Sequence, residues 1–361
     1  MSEIFDFAAI KNREDWRWTE DKFFSELCDL PNRRKLSASF QIDGDENLEF
    51  LENFADLSAK EQAGLQYLQK IAAKNPIANW NLQESANNVL RFRINESQVE
   101  PITIYCDRQG ERFVEFSRIE ITVAKNVKTA INLDFSAENS ACQIPFIELF
   151  LEENSDAEIL LIAKNSSQEN AKKAAQILNF FIYQEKKSHL RCNLFGAGDF
   201  FRADIGAYLQ GEDANFSIAT VQKTSNNSAC DLHIRVEHNS ENCQSKQILR
   251  GVIGANSQAI FDGLIYVAKG AQKTDAEQNS RYLLLDETAK TLAIPQLEIY
   301  ADDVKCAHGA TSGQIDEQAM FYLQARGINK EDARQMLINA FLQEASVLTN
   351  ANLQEIWQEL L

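Results

Sequence analysis

Hydrophobic periodicity changes twice along this chain, and the changes set the order of its elements. From about residue 96 to 306, short runs rich in Ile, Val, Leu and Phe recur, split by Asn, Ser, Gly, Glu and Lys. Arg118 to Ala124, Ala130 to Phe135, Ile144 to Leu151, Ala157 to Ala163 and Asp231 to His238 are examples. In the last of these, Leu232, Ile234 and Val236 fall on one face, with His233, Arg235 and Glu237 on the other. That period of two marks a strand. Roughly a dozen such runs predict an all-β core, as a solenoid, barrel or sandwich. Their spacing is irregular and gives no sharp repeat. Periodicity alone leaves a parallel β-helix and an antiparallel sandwich both open. Five prolines and 14 glycines weigh weakly against a sandwich with many tight hairpins.

On either side the period is helical. Asp21 to Leu27 and Ala59 to Lys74 carry apolar residues at helical spacing, and Leu65, Leu68, Ile71 and Ala72 form one stripe. Pro76 ends that helix, because the residue before a proline is pushed out of the helical region. After Gly313, Asp316 is a candidate N-cap with Glu317 in the first turn and Gly327 as a stop. Asn329 caps a second helix, whose expected apolar stripe is Ala333, Met336, Leu337, Ala340, Phe341 and Leu348. A tail from Leu353 to Leu361 adds Ile356, Trp357, Leu360 and Leu361. The expected organisation is a mainly helical region over 1–95, a β core over 96–310 and a helical domain over 311–361. The C-terminal helices can pack back on the sheets or dock another protein, one face for each. In a solenoid, terminal helices can also block the unpaired edge of the end coil, or leave it for a partner.

A formal charge of −17 excludes a general affinity for nucleic acid, which needs basic surface, and for an anionic membrane. No apolar run approaches the ~20 residues that cross a bilayer. The N-terminus lacks the basic and apolar segments of a secretory signal. Seven scattered cysteines (28, 106, 142, 192, 230, 243 and 306) with no Cys-x-x-Cys pair read as reduced thiols. The expected location is the cytoplasm. This also weighs against a secreted β-helix acting on polysaccharide.

Phosphate-binding, dinucleotide-binding, zincin and nucleophile-elbow signatures are all missing. The expectation is a chain that is not itself an enzyme. The densest polar constellation runs from Glu298 to Thr311 and contains Tyr300, Asp302, Asp303, Lys305, Cys306 and His308. On a strand, Cys306 and His308 leave the same face, roughly 7 Å apart. Thiolate and imidazole suit an iron–sulfur cluster, but two donors do not close a site. The other readings are a buried thiol beside a strand-end histidine, or a Cys–His nucleophile pair, which lacks a third orienting group. His238 shares the parity of Leu232, Ile234 and Val236, so it points inward, as core or as a ligand. Cys243, in a polar stretch, is expected to be exposed. Asp302 and Asp303 either shape a turn or serve iron.

The stretch from Pro295 to Asp316, with Phe321 to Gly327, resembles the SufB/SufD family of the SUF iron–sulfur cluster assembly system, in its SufD form. His238-Asn-Ser, Ser245, Gly251, Phe261-Asp-Gly263, Lys273-Thr-Asp275 and Leu283-Leu-Leu285 fit the same pattern in order, as do Trp16, Trp18 and Thr19 near the start. Where SufB has a Leu-Glu-His-Glu-Ala-Thr pattern, this chain has Asp302-Asp-Val-Lys-Cys-Ala-His-Gly-Ala-Thr311. The resemblance implies a right-handed parallel β-helix flanked by helices. It implies a complex with a SufB-like paralogue and a SufC-like ABC ATPase, the ATPase docking on the C-terminal helices. Self-pairing into a homodimer is the other expected use of the same edge. It further implies that His308, supported by Cys306, contributes to a transient iron–sulfur cluster shared at the subunit interface, with none held by the chain alone. A pure adaptor that binds both partners without touching iron is the alternative.

Overall fold

A ladder of left-handed turn residues builds the molecule. In this computed structural model, Asn126, Asn154, Lys187, Asp213, Asn242 and Lys273 all have φ between 56° and 63°. Each gives its backbone N–H to a carbonyl one coil further on, as Asn154 does to Lys186 at 2.9 Å and Asn242 to Gln272 at 2.9 Å. Asn and Asp tolerate this conformation because their short side chains bond the local backbone. The residue that follows each one turns into the corner and is buried: Val127, Ser155, Ser188, Ala214, Cys243 and Thr274. The corners recur at intervals from 26 residues, Lys187 to Asp213, to 33 residues, Asn154 to Lys187.

Between corners the chain runs straight. The structure describes residues 34–361, apart from 38, 45, 47, 87, 108–112, 137–141, 166–173 and 225–226, together with Ile10, Arg13 and Trp16. Alternate strands join alternate sheets, one of ten strands and one of nine, and from Leu90 onward every pairing along the sheets is parallel. The result is a parallel β-helix of about seven turns. All five strand runs read from the sequence fall on observed strands, and two of them, Arg118 to Ala124 and Ala130 to Phe135, overrun the strand end by one residue. In-register stacking lines up like residues along the axis. Ile119, Ile147, Phe180, Ile205 and Ile234 form one inward column of the first sheet.

The first 95 residues are helical in part only. Among the described ones, Arg34–Ser37, Ser39–Asp43, Leu48–Phe50 and Leu90–Ile94 are strands that join the sheets. Their shortness hid them from a periodicity reading. The expected helix over 21–27 lies outside the described residues, as do Trp18 and Thr19. Helices α1 (Ala59–Ala72) and α2 (Pro76–Glu84) do form. Ser58 and Glu61 close a capping box at the start of α1. Leu65, Leu68 and Ala72 press onto Phe146, Phe150, Phe181 and Tyr208, on the outward face of the first sheet. Gly64 permits that approach: a Cβ there would lie 2.3 Å from the Phe150 ring.

Three further helices, α3 (Glu317–Ala325), α4 (Lys330–Gln343) and α5 (Ala351–Leu360), follow the last strand. Helices α4 and α5 cover the outward face of the second sheet, setting Ile338, Leu342, Leu353 and Trp357 against Leu160, Ile162, Phe195, Val221 and Val252. Glu158, on that face, accepts the backbone N–H of Thr349 at 2.6 Å and of Asn350 at 2.8 Å. The buried stripe of α4 differs from the one expected. Ala333, Ile338 and Leu342 are inside, while Met336 and Ala340 face solvent. Phe341 is partly buried against that core and also lies under the guanidinium groups of Arg250 and Arg281. With helices outside and neighbouring coils inside, central strands such as Cys142–Leu151 are buried at every position.

Candidate functional site

The two ends of the solenoid are finished differently. At the start, Ser39–Asp43 and Leu48–Phe50 pair antiparallel with Ile102–Asp107 and Leu90–Ile94. They leave outer edges of five and three residues. At the other end, Lys290–Ile299 and Lys305–Gly313 are the last members of their sheets, with ten and nine residues. Each is paired on one side only, so two long rows of backbone N–H and C=O groups face outward.

Cys306 and His308 stand on the second of these strands, opposite Ala276 and Gln278. Ala276, Gln278, Ser280 and Tyr282 are buried in the solenoid interior. Their partners Cys306, His308, Ala310 and Ser312 therefore line the same inner face one coil later, where no further coil covers them. Cys306 is half-buried against Ile265, Val267, Ala271, Ala276 and Ala301. Burial, with Asp275 nearby, raises its thiol pKa, so the lone chain keeps it protonated. His308 is exposed. Across the corner, Ile299 (38% exposed) and Tyr300 (59%) extend the same end with apolar surface.

The corner joining these strands is built by Asp303, whose carbonyl accepts the Lys273 N–H and whose N–H donates to Gln272 Oε1 at 2.9 Å. Asp302 and Asp303 are exposed turn residues. Among the described residues, no group of three or more His, Cys, Asp or Glu side chains is arranged to hold a metal ion. Cys306 and His308 share one face of the terminal strand.

His238 points inward and is fully buried, with Nε2 2.8 Å from Ser245 Oγ. Burial lowers its pKa to about 4, so it is a neutral core histidine. Cys243 is not exposed. It follows Asn242 into the corner, where its thiol donates to the Gly211 carbonyl at 3.3 Å. Burial pushes that thiol up to about 11. Cys106, Cys142, Cys192 and Cys230 are buried too, and Cys28 lies outside the described residues.

Sequence reading missed a charged cluster on the outward face of the first sheet. Arg202, fully buried, bonds Asp204 at 2.9 Å and Asp231 at 2.5 Å, and its guanidinium lies 4.0 Å over the Trp16 ring. His233 Nε2 sits 2.8 Å from the same Asp231. Against the opposing effect of burial, Arg202 and His233 hold the Asp231 carboxyl at about 2. The signal was the alternation itself, which put His233 on the face opposite the core.

A second exposed surface lies on the C-terminal helices. Helix α3 buries none of its residues, and it presents Phe321 (73% exposed) and Tyr322 (57%), with Met336 (50%) on α4.

Residues 105–341 match the family described as SUF system FeS cluster assembly, SufBD core domain. The chain belongs to the SufBD family. The matched residues take in the parallel β-helix from Tyr105 onward and end within α4. Among its relatives, the iron-sulfur cluster assembly protein SufD of Escherichia coli (strain K12) is 43% identical over 147 residues, covering 41% of this chain and 35% of that protein. Protein ABCI7, chloroplastic, of Arabidopsis thaliana is 31% identical over 241 residues, 65% of this chain and 50% of that protein. The SufD of Bacillus subtilis (strain 168) is 42% identical over 92 residues, 26% of this chain and 21% of that protein. The matched region thus spans half or less of each relative. Among the described residues, no helix is long and apolar enough to cross a membrane.

Proposed function

We propose that this chain is a scaffold subunit of a SufB–SufC–SufD-type complex, acting in the cytoplasm. Its open end pairs with a SufB-like paralogue, strand edge to strand edge. His308, supported by Cys306, then supplies part of the coordination sphere of a transient iron–sulfur cluster, and the paralogue supplies the rest. The cluster is cargo, built at the seam and passed on. A SufC-like ABC ATPase docks on the C-terminal helices, and its ATP hydrolysis moves the two β-helices relative to each other.

One observation carries this reading. The only pair of long, one-sided strands among the described residues is the pair whose inner face holds Cys306 and His308. A closing coil from a partner satisfies the backbone edge and encloses both donors in one step. Iron binding to the thiol then takes the place of its proton, which is released to solvent. For the ATPase, the support is the exposed aromatic face of α3, beside helices α4 and α5 that are already committed to the sheet.

The test is anaerobic reconstitution of the co-expressed complex, followed by cluster absorbance and by subunit composition. His308→Ala is expected to assemble all three subunits and to lose most of the cluster absorbance. Equal absorbance in both preparations overturns the ligand role and leaves the pure adaptor. In the same preparation, Phe321→Ala is expected to lose the ATPase while keeping the paralogue. Point substitution is the right probe here, because deleting 315–361 would strip Leu342 and Trp357 from the second sheet.

A further inference from the structure

One inward column of the second sheet changes chemistry along the solenoid axis. Register stacks Ile131, Ile159, Cys192, Ile218, Gln247, Gln278 and His308 one coil apart. The first four are apolar and the last three polar. Gln247 and Gln278 are both buried, and Gln278 Nε2 donates to Gln247 Oε1 at 2.9 Å. Amides stacked on parallel, in-register strands bond along the axis with one polarity. An amide that turns its N–H toward one neighbour turns its carbonyl toward the other. Gln278 gives its N–H to the coil before, so its Oε1 faces the coil after, at the rung occupied by His308. That oxygen is buried and has no partner.

The opposite wall is shaped to keep this amide in place. The aliphatic column of the first sheet, Ile205 and Ile234, continues as Gly263. A Cβ at Gly263 would lie 2.2 Å from Gln278 Nε2. Glycine there leaves the room that a long polar side chain needs inside a hydrophobic lumen. A buried carbonyl without a donor is costly, so the site is built for a donor arriving from the terminal strand.

We infer that Gln278 is a positioning residue for His308: its Oε1 accepts the imidazole N–H that faces the solenoid and so fixes the tautomer. The other ring nitrogen then keeps its lone pair and presents it across the open end. A neutral imidazole carries one proton, and the nitrogen that holds it is set by the bond made on that side. Ligating histidines are commonly held in this way by an outer carbonyl or carboxylate. The consequence for metal binding rests on the proposal that His308 is a ligand, whereas the hydrogen bond does not.

Nuclear magnetic resonance of the full, iron-free chain with isotope-labelled histidine reads the tautomer directly. Four histidines are present, His189, His233, His238 and His308, and His308→Ala assigns the last signal. Spectra are taken at a pH alkaline enough to leave the ring neutral. The wild-type ring is expected in one dominant tautomer. Gln278→Met removes the acceptor at nearly constant volume and is expected to shift the tautomer ratio about fivefold toward that of free histidine, the factor one ordinary hydrogen bond supplies. Gln278→Glu keeps an acceptor and is expected to restore the wild-type signal. Unchanged His233 and His238 signals show that the fold survives. A free-histidine mixture in the wild type, or an unmoved His308 signal in Gln278→Met, overturns the proposal. No iron enters this experiment, so it stands apart from the reconstitution of His308→Ala. Loss of the ligand role there leaves this hydrogen bond intact, and loss of the hydrogen bond leaves His308 free to ligate.

Discussion

The start and the finish of this solenoid solve the same problem in opposite ways. Each must end a stack of parallel strands. At the start the chain doubles back, and the edge shrinks to antiparallel strands of five and three residues. At the finish it stops on two full-length strands whose outer edges have no strand partner among the described residues. Phe92, in the second-to-last strand of its sheet at the start, is fully buried, whereas Lys305–Gly313 at the finish buries no residue fully. A chain able to blunt one end has the means to blunt both. The unblunted end is also the one that carries the half-buried Cys306 and the exposed His308, which is why the proposed function places the partner there.

Stability measurements on the lone chain break or sharpen this contrast. Phe92→Ala should lower unfolding free energy by about 3–5 kcal/mol, the range for emptying a fully buried aromatic site, read from urea titration. A loss below about 1 kcal/mol would mean that the start is as loosely finished as the end. Next in size is a pH effect inside the stack. The folded pKa of His238, about 4, lies below its ordinary value of 6.5. The folded state therefore binds fewer protons than the unfolded one. The resulting stability is fully present above pH 6.5 and is lost as pH falls toward 4, amounting to roughly 3 kcal/mol. The difference between wild type and His238→Gln in urea, followed from pH 7 to pH 4, should show that slope. Parallel curves would refute the neutral core assignment. The smallest effect belongs to the open end. Ile299→Ala should cost the isolated chain less than about 1 kcal/mol, since the side chain is already partly in water. The same substitution should weaken recovery of the paralogue-bound complex. A large loss in the lone chain would show that Ile299 already has a partner within it.

The strands were legible because a period of two survives in any half-buried β segment, and Leu232, Ile234 and Val236 show it plainly. Parallel pairing was not, since alternation says nothing of a neighbour's direction. The repeat was present in the turns rather than the strands: Lys125-Asn-Val-Lys128, Glu153-Asn-Ser-Asp156 and Glu241-Asn-Cys-Gln244 share a left-handed residue followed by a small or apolar one. Lys187 and Lys273 occupy that position too, without the side chain that favours it, and the interval varies by several residues. Cys243 was misplaced for this reason, because a polar neighbourhood in sequence concealed a corner that points inward. The stripe of α4 was misjudged at Met336 and Ala340, because a helix lying on a sheet buries only the residues that meet it, here Ala333, Ile338 and Leu342. For the candidate site, the shared face of Cys306 and His308 followed from their spacing. That this face closes nothing, and that Gln278 lies beneath His308, depends on register, which joins residues 30 positions apart.

The blunted start has a consequence for how far assembly can run. A subunit with two receptive ends propagates into a fibre, because each addition recreates the surface that it consumed. On the proposed pairing, an addition consumes the one long open edge among the described residues and offers nothing in its place. On that pairing, growth along the axis is self-terminating, and two solenoids joined face to face add no third.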